Sequence, residues 1–179
     1  MTITPPNSPD LPVLGFVAPS GSGKTTLLRR LVAALQARGL RVGYLKHAHH
    51  TFDLDHPGKD SYEIRAAGAA QTLLASRERW ALQVENDRKG EDPDLEAMLA
   101  RFEHDRLDLV LVEGFKHARY PKIEVYRAVL GQAPLYPGDP EIIALATDDP
   151  PPASPHPPLL SLTEIEELVE FVRRQASLW

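Results

Sequence analysis

The stretch Ala18-Pro19-Ser20-Gly21-Ser22-Gly23-Lys24-Thr25-Thr26 constrains this chain more than any other. It follows the apolar run Val13-Leu14-Gly15-Phe16-Val17. It precedes Leu27, Leu28, Leu31, Val32 and Leu35, which recur with helical spacing. That order predicts strand, phosphate loop, helix. A triphosphate needs many donors converging on its oxygens; small residues let backbone N–H groups approach, and the following helix adds its positive end. Ser20, Gly21, Ser22, Gly23, Lys24, Thr25 and Thr26 are therefore the candidate nucleotide-binding residues, with Lys24 reaching the β- and γ-phosphates and the Thr25 hydroxyl ligating Mg²⁺. Ala18 stands where the motif usually begins with glycine, a mild departure.

Downstream, strands continue to alternate with amphipathic helices. The pattern predicts a first strand over 13–18, a helix over 25–38, a second strand over Arg41–Lys46 and short strands over Ala69–Ala75 and Trp80–Val84. A capping box at Asp60 and Glu63 opens a short helix, and Asp92-Pro93 opens another through Leu95, Met98, Leu99 and Phe102. Leu107–Val112 reads as a strand buried on both faces, Lys122–Arg127 as an alternating edge strand, and Glu141–Ala146 as a buried strand. Thr163 and Glu166 form a capping box for a last helix with Ile165, Leu168, Val169 and Val172 on one face. Such alternation implies right-handed βαβ units around a mainly parallel sheet flanked by helices, the three-layer α/β architecture of P-loop nucleotide-binding proteins.

A polar, proline-bearing segment over 1–12 is expected to be a flexible tail and 13–179 a single nucleotide-binding domain. In that domain the proline-dense 150–158 serves as an extended connector. The net charge of −5 argues against non-specific nucleic-acid or anionic-membrane binding, and no apolar run approaches the roughly 20 residues of a membrane span. With no cysteine and no signal-peptide pattern, the expectation is a soluble cytoplasmic protein.

In open parallel sheets ligands bind beyond the carboxyl ends of the strands. The residues that follow predicted strands are the phosphate loop, Lys46 with the loop after it, Glu113 and Asp148, so all can reach one rim. Glu113 is the candidate second acid that orients Mg²⁺ or its waters, and with Lys24 it is the candidate catalytic pair. Asp148 offers acceptors to the N1–H and N2–H₂ of guanine, although the Asn-Lys-x-Asp arrangement of many GTPases is missing around it.

The loop from His47 to Ser61 is crowded with titratable groups, and three readings stand. Lys46, His47, His49, His50, Asp53, Asp55 and Gly58 can form a switch that senses the γ-phosphate, with Asp55 or Asp53 adding a water-mediated Mg²⁺ contact. Alternatively His47, His49 and His50 hold a transition metal, although no defined zinc spacing is present, or the histidines are simply exposed.

Taken together, Gly21-Ser22-Gly23-Lys24-Thr25-Thr26, Lys46-His47-x-His49-His50-x-Phe52-Asp53-x-Asp55-x-Pro57-Gly58-Lys59-Asp60-Ser61, Ala67-Gly68-Ala69 and Val112-Glu113-Gly114-Phe115-Lys116 resemble the molybdopterin-guanine dinucleotide biosynthesis protein B family, MobB. The resemblance covers roughly 13–149. It implies a dimeric P-loop GTP-binding adaptor with Mg²⁺ and weak intrinsic GTPase activity. Its implied partner is the guanylyltransferase that joins GMP to molybdopterin, with molybdopterin itself and downstream molybdoenzymes as further partners. Two other classes compete: a small-molecule kinase using ATP, which would want an arginine-rich lid where only the dispersed Arg77, Arg79 and Arg88 are available, and a histidine-based metal chaperone.

Overall fold

The computed structural model describes residues 11–48, 52–86, 90–152 and 154–178. The chain divides into two compact units, one comprising the residues up to His47 together with those from Pro93 onward, the other running from Ala48 to Asp92.

The first unit is built on a six-stranded sheet. Its strands in chain order are β1 (Val13–Val17), β2 (Val42–Lys46), β5 (Leu109–Glu113), β6 (Lys122–Val125), β7 (Ile142–Ala146) and β8 (Leu159–Leu160). They lie in the order β2-β5-β1-β6-β7-β8, and every neighbouring pair is parallel, as the alternation of elements predicts. Helices α1 (Lys24–Gln36) and α4 (Ile165–Gln175) cover one face. Leu27, Leu28, Leu31 and Leu35 of α1 and Leu168, Val169, Phe171 and Val172 of α4 share one core with the sheet. The short α3 (Leu95–Leu99) belongs to a second core with Val13, Val110, Val112 and Tyr120. Leu11, read as part of the tail, is buried in that second core, and the Pro12 carbonyl accepts from the Val110 N–H at 2.8 Å.

Sheet order corrects one expectation. β6 is interior, flanked by β1 and β7, and all four of its residues are buried. Lys122 and Glu124 gave it the alternation of an edge strand, yet each is 1% exposed. Lys122 Nζ lies 2.8 Å from Asp139 and donates to the carbonyls of Lys116 and Ala118 at 3.2 and 2.9 Å. Glu124 accepts from the N–H groups of Leu135 and Tyr136 at 2.8 and 2.9 Å. Burial of a charge is tolerated only with such partners. Burial pushes the Glu124 carboxyl above its usual range, and the two N–H donors work against that shift. Gly15 makes room for this arrangement in β1, since a Cβ there would come within 2.6 Å of the Tyr120 ring and 2.7 Å of Lys122.

Helix starts also differ from expectation. Asp94, not Asp92, caps α3, its carboxylate accepting from the Ala97 N–H at 2.7 Å. The last helix has no Thr163 cap; Ser161 Oγ instead accepts from the N–H groups of Thr163 and Glu164, both at 3.1 Å.

The second unit contains α2 (Asp60–Ala66) and an antiparallel hairpin of β3 (Gln71–Ala75) and β4 (Trp80–Val84). Asp60 is the first helical residue here, and Glu63 reaches back to the Gly58 N–H at 3.1 Å. None of the three elements contributes a buried residue. The described residues contain no helix long and apolar enough to cross a membrane.

Candidate nucleotide site

At the carboxyl end of β1 the chain turns through Gly21 and Gly23, with φ of +80° and +85°. L side chains avoid that region, so the loop's shape depends on glycine at these points. Gly23 caps α1 without a side-chain hydrogen bond, and the first turn carries no acid. The first N–H groups of a helix have no intrahelical partner. Those of Lys24, Thr25 and Thr26 therefore point out of a 13-residue helix whose positive end no acid in its first turn neutralises. This is the donor set a phosphate needs, and the residues fit that ligand. The Ser22 hydroxyl is buried and has no hydrogen-bond partner among the described residues.

Beside the loop lies Glu113, the last residue of β5, 6% exposed. Sheet register brings it level with Phe16 on β1 and Lys46 on β2. Its Oε1 is 3.6 Å from Lys24 Nζ and 3.5 Å from Lys46 Nζ, and its Oε2 accepts from the Tyr44 hydroxyl. Burial opposes ionisation of Glu113, but the Tyr44 hydrogen bond and the two ammonium groups outweigh it and hold the carboxyl below its usual range. It is thus a carboxylate at neutral pH. Tyr44 is held neutral by burial and by this bond. Lys24 also donates to the Ala18 carbonyl at 3.4 Å. Both of its contacts are long, so the ammonium is parked beside the loop rather than tightly bound.

Lys24, Lys46 and Glu113 are brought together as the strand ends implied. The His47 N–H donates to the Glu113 carbonyl at 2.9 Å, and its ring lies 4.8 Å from that of Phe115. Asp148 follows β7, two strands from β1. Its Oδ1 accepts from the Ser161 hydroxyl and the Leu162 N–H, both at 2.9 Å, fixing the start of the last helix. His49 and His50 lie outside the described residues. Asp53, Asp55 and Gly58 belong to the second unit. There Asp53 pairs with Arg65, and both oxygens of Asp55 are occupied, one by Ser61 and one by the His56 N–H. The Ser61 bond holds the Asp55 carboxyl below its usual range. Among the described residues no three His, Asp or Glu side chains converge as a metal site.

Two side chains at the site escaped the sequence reading. Tyr44 sits two residues before Lys46, hence on the same side of β2, a period-two signal available in the sequence. Arg127, just past the end of β6, donates from Nε to the Ser22 carbonyl at 2.9 Å; nothing local announces a partner 105 residues away.

Comparison with known proteins places this geometry. A family model described as molybdopterin guanine dinucleotide synthesis protein B matches residues 13–148. A protein of Escherichia coli K12 named molybdopterin-guanine dinucleotide biosynthesis adapter protein is 48% identical over 90% of this chain and 91% of its own length. A Haemophilus influenzae protein of the same name is 39% identical over 90% and 88%. Among solved structures, the MobB homologue from Bacillus stearothermophilus superposes with a TM-score of 0.66 at 27% identity, covering 93% of this chain and 99% of that one. Bacillus subtilis MobB gives 0.70 at 25% identity, covering 92% and 98%. The six-stranded parallel sheet, the glycine-lysine loop on β1 and these likenesses agree: this chain belongs to the MobB family.

Proposed function

We propose that the protein is a GTP-binding adaptor in molybdenum cofactor biosynthesis, assisting the guanylyltransferase that attaches GMP to molybdopterin. One observation carries the nucleotide part: an uncapped helix N-terminus behind two left-handed glycines, with a loosely held lysine at its mouth. The adaptor part rests on the family and on the name shared by its relatives.

In this reading the N–H groups of residues 20–26 and the Lys24 ammonium take the phosphates. Lys24 leaves Glu113 to do so, which frees carboxylate charge at the point where a cation is needed. Thr25 and Glu113 are the residues that would hold Mg²⁺, directly or through water, and the ion when bound neutralises charge on the β- and γ-oxygens. Asp148 is assigned to the guanine edge through its remaining oxygen. Lys46, sharing Glu113 with Lys24, couples the loop that follows it to the state of the phosphates, and that loop, with His47, His49, His50, Asp53, Asp55 and Gly58, is the proposed switch.

Slow hydrolysis is expected because Glu113, an ionised carboxylate given over to Mg²⁺ once Lys24 has moved to the phosphates, is a weak base. Isolated protein is expected to turn over GTP far more slowly than the roughly 10 s⁻¹ of a median enzyme. Addition of the guanylyltransferase should change either that rate or the yield of dinucleotide cofactor. Rapid turnover by the adaptor alone, or acceleration by a small-molecule acceptor with ATP, would favour a kinase instead.

A homodimer in the cytoplasm completes the proposal. The exposed hairpin supports self-association: Leu73 and Trp80 are 63% and 58% exposed, and a two-stranded hairpin alone is at best marginally stable in water. A second copy is the partner proposed to cover it.

A further inference from the structure

Guanine recognition needs two kinds of partner, and the sequence supplied a candidate for only one. The N1–H and N2–H₂ groups want an acceptor, whereas O6 and N7 want donors. Adenine reverses the pattern at its sixth position, presenting an amino donor where guanine has a carbonyl.

Sheet order divides the rim on either side of the loop after β1. The phosphate loop follows β1. On one side of β1 lie β5 and β2, carrying Glu113, Tyr44 and Lys46, the acid and cations that suit the γ-phosphate and metal end. On the other side lie β6 and β7, the end that the GTP-binding reading leaves for the nucleoside. Arg127 follows β6 directly on that side. Its Nε donates to the Ser22 carbonyl at 2.9 Å, and its Nε and Nη2 each lie 3.6 Å from where a Cβ on Gly23 would stand. The guanidinium is therefore locked against the phosphate loop through one nitrogen; among the described residues its terminal pair has no partner and no carboxylate pairs with it.

The neighbouring strand end is held in step with it. The Tyr126 N–H donates to the Ala146 carbonyl at 3.0 Å and the Ala128 N–H to Asp149 at 2.8 Å, so Arg127 and Asp148 sit on adjoining, cross-tied strand ends. Oδ1 of Asp148 is occupied by Ser161 and Leu162, and among the described residues no donor reaches Oδ2.

We propose that Arg127 is a specificity-determining residue for guanine, its terminal nitrogens donating to O6 and N7 while its Nε remains on Ser22. Adenine is disfavoured because its amino group faces the same donors. Arginine matches this bidentate edge, and lysine, a single mobile charge, does not. The inference deepens the GTP-binding reading and rests on it.

Calorimetry on the full-length protein with Mg²⁺, comparing GTP, ITP, ATP and inorganic tripolyphosphate, tests it. ITP keeps O6 and N7 but lacks the 2-amino group. Arg127→Ala is expected to weaken GTP and ITP about 10- to 100-fold while leaving ATP and tripolyphosphate within about threefold. Arg127→Lys, which keeps the charge, should lose the GTP-over-ATP preference as well, and it carries the test if the alanine variant does not fold. An equal loss for all four ligands would make Arg127 only a clamp on the loop. An equal loss for GTP and ATP with tripolyphosphate unchanged would place it on the ribose or another feature that the two nucleosides share. Either result overturns the inference, as does a GTP-over-ATP ratio that survives both substitutions. Absence of GTP binding by the wild type would instead sink the functional reading itself, and this inference with it.

Discussion

Replacing Lys122 by alanine is expected to destabilise the protein by about 3–5 kcal/mol, because one partner of a buried, hydrogen-bonded ion pair is removed. The side chain is 2% exposed and uses its ammonium on Asp139 and on the carbonyls of Lys116 and Ala118. Without it, two carbonyls and a carboxylate lose their donor together. Asp139, at 25% exposure, can regain some water, which places the cost toward the lower part of that range. Typical domains are stable by only about 5–15 kcal/mol, so the urea midpoint should fall sharply with the slope unchanged. A loss below about 1 kcal/mol would show that the pair is replaceable by solvent and that the register of β6 does not depend on it.

Lys24→Ala is expected to behave in the opposite way. Among the described residues Lys24 makes only the long contacts to Ala18 and Glu113, and Glu113 keeps Lys46 and Tyr44 after its removal. Stability should therefore change by less than about 1 kcal/mol, as for a weak, partly exposed ion pair. GTP affinity should drop roughly 100-fold or more, the value of two charge-assisted phosphate contacts at about 1.5–3 kcal/mol each, less what solvent restores. Calorimetric titration beside a urea melt reads both quantities. Unchanged GTP affinity in a folded Lys24→Ala protein would remove the phosphate loop from the account. In sequence Lys24 stands out by its glycine-rich loop, whereas nothing local marks Lys122 as buried; that contrast arises from what the fold packs around it.

The strand–loop–helix geometry around Ala18–Thr26 was legible because its demands are local: two glycines at left-handed positions, a lysine, and flanks of the right period. Glu113 and Lys46 were legible for a related reason, since parallel topology places strand ends on one rim and both residues end strands. β6 was misread because the carboxylate that pairs with Lys122, Asp139, and the N–H donors to Glu124, Leu135 and Tyr136, lie 11 or more residues away. Period-two polarity is an honest sign of a solvent face only when nothing further along the chain returns to cover it. Arg127 was invisible for the same reason, its contact with Ser22 spanning the first unit. The helix starts failed differently: at α3, read as opening at Asp92-Pro93, and at α4, read as a Thr163 capping box, an acceptor close by, Asp94 or Ser161, reached the free N–H groups first. The Ala48–Asp92 segment showed its helix and hairpin by local pattern, but its separation as a unit depends on the absence of buried residues in those elements, which pattern alone does not report.

The central claim is that the loop over residues 18–26 binds a guanine nucleoside triphosphate. Isothermal calorimetry of GTP, GDP and ATP with and without Mg²⁺ tests it most directly. The account predicts saturable GTP binding that Mg²⁺ strengthens, with ATP weaker by roughly tenfold or more. No GTP binding, or a preference for ATP, would contradict it.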